Sequence, residues 1–237
     1  MSRNKRFIKQ MFSEIIREYD IGNSIISLFT DNFLRRAVIK RLTNKEHVLD
    51  ICSGTGSMAI ELLKNKEFVG NVVMVDFNMD TLLHARKRFQ KLSIDKKYHM
   101  VIGDADFLPF KSCIFDGAMM GFALRYMDIP LFSSQLRHTM SQGGKMIFVE
   151  VSHPENSIVA YLFHIYFYKV VPFMSKIFTR NTFAYEYLAQ SLKAFCTQKE
   201  LINAFRERGF DAAYDNRLFG ASTIYTITKK GNDRVPR

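Results

Sequence analysis

The stretch VLDICSGTGSMAIEL, Val48–Leu62, ends an apolar run at an acid, places two glycines one residue apart and goes directly into helical spacing. Gly54, Gly56 and Ala59 satisfy G-x-G-x-x-G/A, a spacing that lets a ligand's polar edge lie against bare backbone at the start of a helix. Asp76 follows Gly56 by about 20 residues, where a carboxylate receives ribose hydroxyls. Dinucleotides and other adenosine cofactors fit that pattern alike, and two further acids separate them. Asp50 puts a carboxylate at the strand end where a pyrophosphate would rest; it repels an anion and suits a cation. A third acidic turn, GDADFLPF, brings Asp104 to the next strand end, with the backbone of Ala105 beside it to receive an adenine amino group. S-Adenosylmethionine, with a sulfonium, an ammonium and no phosphate, is the cofactor these acids select.

Three acids meet only if three strands end side by side. Strand-like runs at His47–Cys52, Val72–Phe77, His99–Gly103, Asp116–Phe122 and Lys145–Val151 alternate with helical spacing at Ser57–Lys66, Met79–Leu92 and Pro130–Ser141. This alternation predicts an α/β fold, a mostly parallel sheet flanked by helices. MFSEIIREY reads as one N-terminal helix and Ser24–Leu42 as a second. Gly143 and Gly144 mark a tight helix-to-strand connection. After Val151 an aromatic helical region runs to about Phe195, then a helix over Gln198–Arg208 ended by Gly209, then closing strands Phe210–Arg217 and Ser222–Lys229, seven strands in all. One domain is expected over 1–237: N-terminal helices at 1–45, a cofactor-binding core at 46–152, a helical substrate region at 153–195, and a closing helix and strands at 196–230.

With 47% hydrophobic and 24% charged residues among 237, disorder and fibrous repeats are excluded. Cys52, Cys113 and Cys196 are odd in number and lack CxxC spacing, so a reducing cytoplasm, no disulfide framework and no metal site are expected. The basic start MSRNKRFIKQ has no apolar segment after it and does not read as a secretory signal. The net charge of +11 gathers in clusters at Arg3–Lys9, Arg35–Arg41, Arg86–Lys91 and Lys229–Arg237. It would draw the chain to nucleic acid or to an anionic membrane surface. No aromatic residues interleave these clusters, and MGFA stands where an NPPY-type tetrapeptide would mark a nucleic-acid methylase, so no nucleic-acid partner is expected. SIVAYLFHIYFYKVVPF is close to the shortest length that spans a bilayer and is interrupted by Pro172. It reads as a buried helix, or as one lining a lipophilic pocket or lying at a membrane surface.

These residues resemble the class I methyltransferases and, within them, the ubiquinone and menaquinone biosynthesis C-methyltransferases. MFSEIIREYDIGN, LRRAVI, VLDICSGTGSMA, GDADFLPF, FDGAMMGFALRYMD, GGKMIFVEVSHP and AYEYLAQSLKAF follow the family's order from Met11 to Lys229. The resemblance implies a Rossmann-like fold and a cofactor site of Thr55, Asp76, Asp104, Ala105 and Gly121, with backbone access at Gly54 and Gly56. Tyr19 closes it from the N-terminal helices. It also implies a prenylated quinol methylated on a ring carbon, either demethylmenaquinol or a ubiquinol precursor, collected by a cytoplasmic protein at the membrane periphery. A homodimer is left open, as are another lipophilic or small acceptor and a non-catalytic assembly role. Ser57, Leu34, Ala123, Tyr126 and Cys196 depart from the family's usual Asp, Trp, Gly, Asn and Pro. Arg125 is expected to hold the phenolate oxygen, and Tyr126, His153 and Glu150 are candidates for proton transfer.

Overall fold

Successive residues of a strand face opposite sides of a sheet, and here both sides are covered. Val48, Met119, Ile147 and Val149 belong to one apolar core. Their neighbours Leu49, Ala118, Met120 and Phe148 belong to the other. The computed structural model describes residues 5–16, 19–94, 97–178 and 183–231. Its seven-stranded sheet contains β1 (His47–Ile51), β2 (Asn71–Asp76), β3 (Tyr98–Ile102), β4 (Phe115–Gly121), β5 (Met140–Val151), β6 (Phe210–Arg217) and β7 (Ser222–Lys229). Their spatial order is β3-β2-β1-β4-β5-β7-β6. The first five strands are parallel. β7 runs antiparallel to both its neighbours.

One face is covered by α3 (Asp31–Ile39), α4 (Ser57–Lys64) and α5 (Met79–Lys91), through Leu34, Leu62 and Phe89 among others. The other is covered by α6 (Ile129–Thr139) and α10 (Gln198–Arg206), through Phe132, Leu136, Leu201 and Phe205. The chain winds outward from β1 to β3 and then resumes at β4 on the other side of β1. That reversal leaves a crevice beyond the carboxyl ends of β1 and β4, where open α/β sheets bind ligands.

A third apolar cluster lies apart from the sheet and joins α1 (Lys5–Ile15), α2 (Tyr19–Ile26), α8 (Val171–Phe178) and α9 (Phe183–Lys193) through Met11, Ile15, Ile26, Val171 and Ala184. Between α7 (Ser157–Ile165) and α8 the helix widens into a π turn at Tyr166–Val170. Pro172, which has no N–H to donate, stands two residues beyond it, in the first turn of α8.

Two sequence expectations change. Ser24–Leu42 is two helices, because Leu28 and Phe29 take left-handed backbone at φ 51° and 62°. Ser27 Oγ accepts the Asp31 N–H and Thr30 Oγ1 donates to the Ser27 carbonyl, so hydroxyls compete with the helical ladder there. The strand expected from Lys145 begins at Met140, and its pairing with β4 jumps from Phe115↔Met140 to Gly117↔Lys145. Gly143, at φ 72°, sits in that irregularity instead of in a separate connection.

Candidate active site

The ends of β1, β2, β3 and β4 surround a pocket of about 840 Å³, open solvent at its mouth included. Gly54, Thr55, Asp76, Asp104, Ala105, Gly121 and Tyr126 line it, so most of the sequence-selected residues do converge. Gly54 is left-handed at φ 53°, and a Cβ built on it would meet no atom nearer than the Cys52 carbonyl at 3.9 Å. Its backbone therefore faces open space, while its N–H donates to Asp76 Oδ2 at 2.8 Å. Asp76 also accepts the Asn78 N–H at 2.9 Å. Burial pushes its carboxyl above the usual range, and these bonds oppose the shift. Cys52 and Phe122, each just after a strand end on the pocket wall, are left-handed non-glycine residues at φ 54° and 59°. Such backbone costs about 1–3 kcal/mol each and gathers at functional sites.

The N-terminal helices cover this pocket. Lys5 of α1 places Nζ 2.6 Å from Asp104 Oδ2 and 2.7 Å from Asp106 Oδ2. Asn78 donates to the Lys9 carbonyl at 3.1 Å and to Ser13 Oγ at 2.9 Å. Thr55 Oγ1 donates to Asp20 Oδ1 at 2.8 Å, and Arg88 Nη1 reaches both Asp20 Oδ2 at 2.7 Å and the Thr55 carbonyl at 2.8 Å. Thus α2 and α5 clamp the glycine turn. The sequence reading missed Lys5, Asp20, Asn78 and Arg88; for Asn78 the signal was present, since FNMD places an Asn N-cap just after Asp76.

Other selected residues lie elsewhere. Asp50 is buried and lines neither this pocket nor the next. Burial raises its carboxyl to about 8, with Arg35 opposing the shift and Asp76 adding to it. It is therefore largely protonated at neutral pH, and repulsion of an anion falls to Asp76, since Asp104 is paired with Lys5. Gly56 also stands back from the pocket; its added Cβ would strike Phe89 at 2.8 Å and Met74 at 2.9 Å, so it is a packing glycine. His153 lines neither pocket, and its Nε2 lies 3.0 Å from the Leu192 carbonyl. Tyr19 opens α2, but its side chain lies outside the described residues.

A second chamber adjoins the first, with Phe122 in both walls. It holds about 1360 Å³ to its mouth and is lined mainly by apolar side chains, among them Leu34, Val159, Leu162, Phe163, Tyr166 and Leu188. Arg125 lies in its wall, buried, with an Nη1 contact to Glu150 Oε1. Glu150 is fully buried and also accepts the N–H groups of Arg125 at 3.3 Å and Val151 at 3.0 Å. Burial raises its carboxyl and the Arg125 guanidinium draws it back. Tyr126 packs with its ring 4.8 Å from the Arg125 guanidinium and stacks on Tyr187 at 6.1 Å, forming a wall beside the seam. Among the described residues no cluster of three His, Cys, Asp or Glu is placed to hold a metal.

A pocket edged by carboxylates beside a larger apolar chamber, with Phe122 in both walls, suits transfer of a small group from a charged donor to a lipophilic acceptor. Residues 1–229 match the sequence model of the ubiE/COQ5 methyltransferase family. The chain belongs to this family. It is 30% identical over 227 residues to a demethylmenaquinone methyltransferase of Lactiplantibacillus plantarum, covering 94% of this chain and 96% of that one. It is 29% identical over 226 residues to the ubiquinone/menaquinone biosynthesis C-methyltransferase UbiE of Geobacter sulfurreducens, covering 94% and 88%. Its fold matches that of a SAM-dependent methyltransferase of Thermotoga maritima with a TM-score of 0.63 at 18% identity, over 93% of this chain and 99% of that one. For this ubiE/COQ5 methyltransferase the open face of Gly54 and the adjacent Asp76 fit a cationic adenosine cofactor, with Asp104, paired to Lys5, at the far wall.

Proposed function

We propose that the chain is an S-adenosylmethionine-dependent C-methyltransferase of a prenylated quinol, converting a demethylmenaquinol to the menaquinol and accepting a ubiquinol precursor of similar shape. The observation that carries this reading is the pairing of pockets: one bearing the carboxylates of Asp76 and Asp104 at the strand ends, and a larger, mostly apolar one holding a buried arginine, sharing Phe122. In this reading 46–152 holds the cofactor, and the acceptor is walled by 153–195 together with residues of 23–35.

The cofactor supplies an electrophilic methyl on a sulfonium. Asp76 would hold its ribose hydroxyls, Asp104 and Ala105 its adenine, and Gly54, Thr55 and Gly121 would give it backbone room. Methylation at carbon needs an electron-rich carbon, which a quinol provides once the neighbouring hydroxyl loses its proton and the phenolate pushes density into the ring. Arg125 stabilises that phenolate, and its charge is secure because guanidinium does not titrate near neutrality. Glu150 fixes Arg125 in place and reaches the acceptor only through it. Tyr126, at the seam, is the group we assign to proton transfer; His153, turned to Leu192, is not placed for it.

A polyprenyl tail resides in the bilayer, so the enzyme is assigned to the cytoplasm and to peripheral contact with the membrane. The test is transfer of labelled methyl from S-adenosylmethionine to short-tailed 1,4-naphthalenediol and benzenediol acceptors under reducing conditions. Transfer to the naphthalenediol above the benzenediol supports the reading. Cofactor binding without transfer to either contradicts it.

A further inference from the structure

Arg35 of α3 lies in the wall of the apolar chamber with 7% of its surface exposed. A guanidinium carries five N–H donors, and a buried one ordinarily spends them on acceptors. Here the nearest carboxylate oxygen, Asp31 Oδ2, stands 3.7 Å from Nε, close enough for charge attraction but beyond hydrogen-bond distance. It also lies against Phe122, 5.4 Å from guanidinium carbon to ring centroid, and acts through its charge on the buried Asp50. Its nitrogens make no hydrogen bond to a described residue and are not among the fully buried unpartnered atoms, so these donors reach the space of the chamber.

Its position adds to this. Nη1 would stand 3.2 Å from a Cβ built on Gly121, the strand end that lines the first pocket. Arg35 is thus at the junction of the two pockets, packed on the ring that both share, with Arg125 also in the wall of its chamber. Asp31, held by Ser27 Oγ at 3.1 Å, offsets the buried charge without consuming the donors.

We propose that Arg35 is an acceptor-binding residue that donates hydrogen bonds to a ring oxygen of the acceptor, so that Arg35 and Arg125 take one oxygen each of a quinol and fix its orientation. This rests on the quinol reading above. The oxygen next to the receiving carbon goes to Arg125, and the oxygen across the ring goes to Arg35. A bond from a charged donor contributes about 1.5–3 kcal/mol, which is roughly tenfold to a hundredfold in kcat/KM.

The test compares a short-tailed 1,4-naphthalenediol with the analogue lacking only the remote hydroxyl, using the full chain and its Arg35→Gln and Arg35→Lys variants. The parent should prefer the diol by about tenfold or more, and Arg35→Gln should reduce that preference to within about threefold. Affinity for S-adenosylmethionine should stay near the parent's, while the thermal midpoint of Arg35→Gln should fall, because the buried Asp31 loses its cation. Arg35→Lys, which keeps the charge, serves if the glutamine variant does not fold, and should retain part of the preference. A variant that discriminates between the two acceptors as the parent does overturns the assignment to Arg35 alone. A parent that methylates neither overturns the quinol reading as well.

Discussion

Arg125 and Glu150 form a buried pair in which the carboxylate also takes two backbone N–H groups, so each partner depends on the other. Replacing Arg125 with Ala should lower turnover by about a hundredfold or more while leaving cofactor affinity nearly unchanged, as judged by steady-state kinetics beside calorimetric titration. Equal losses in both would remove its role at the acceptor. Tyr126→Phe should likewise reduce kcat with cofactor affinity kept. Asp50 gives a pH signature. Its folded carboxyl is raised from 3.8 to about 8, so the folded chain binds the proton more tightly than the unfolded chain. That contribution to stability is present below about pH 4 and is lost as pH rises towards 8, by at most about 1.4 kcal/mol per unit. Urea unfolding of Asp50→Asn should therefore show a gain over the parent that grows between pH 6 and 8; parallel profiles would refute it. Asp76 and Asp104 were legible from spacing because both end strands on the pocket. Asp50 has the same sequence signature, but its side chain turns into the protein, which spacing alone does not show.

At the scale of elements, β6 and β7 were legible to the residue, because alternation and flanking glycines bound them on both sides. The other strands shifted by one residue or so at their ends, apart from β5. The break between α2 and α3 was hidden because apolar spacing continues through it, while Ser27 and Thr30 unmake the helix locally. The glycine turn yields a contrast that sequence could not draw. Gly56→Ala forces a methyl against Phe89 and Met74 from a left-handed backbone and should cost about 2–4 kcal/mol in urea unfolding. Gly54→Ala meets open space and should cost only about 1–2 kcal/mol, its main effect being lost cofactor affinity. Equal effects of the two on both readouts would contradict the division between packing and access.

On the whole molecule, +11 was legible from composition, but where apolar surface meets that charge was not, since exposure is decided by packing among distant elements. The helical run Ser157–Lys176 is long and apolar enough to cross a membrane by length and composition, and most of it is exposed or half-buried. Yet Phe163, Val171 and Ser175 on its inner side pack into the protein, so it has one free face rather than lipid all round. On the free face Ile158, Tyr161, Leu162 and Phe173 are exposed, and Leu162 also lines the chamber with Leu28 and Leu218, next to exposed Phe29 and Phe219. Binding to anionic vesicles should therefore fall with added salt, and should fall further in an Ile158→Ser, Phe219→Ser double variant whose soluble turnover is kept. Vesicle binding unchanged in that variant would remove this face from the membrane account. The most direct measurement of the central claim is the position of the transferred group: methyl-¹³C S-adenosylmethionine is turned over with the short-tailed naphthalenediol and the product is read by NMR. The account predicts a methyl bonded to ring carbon, with both oxygens free; a methoxy product would contradict it.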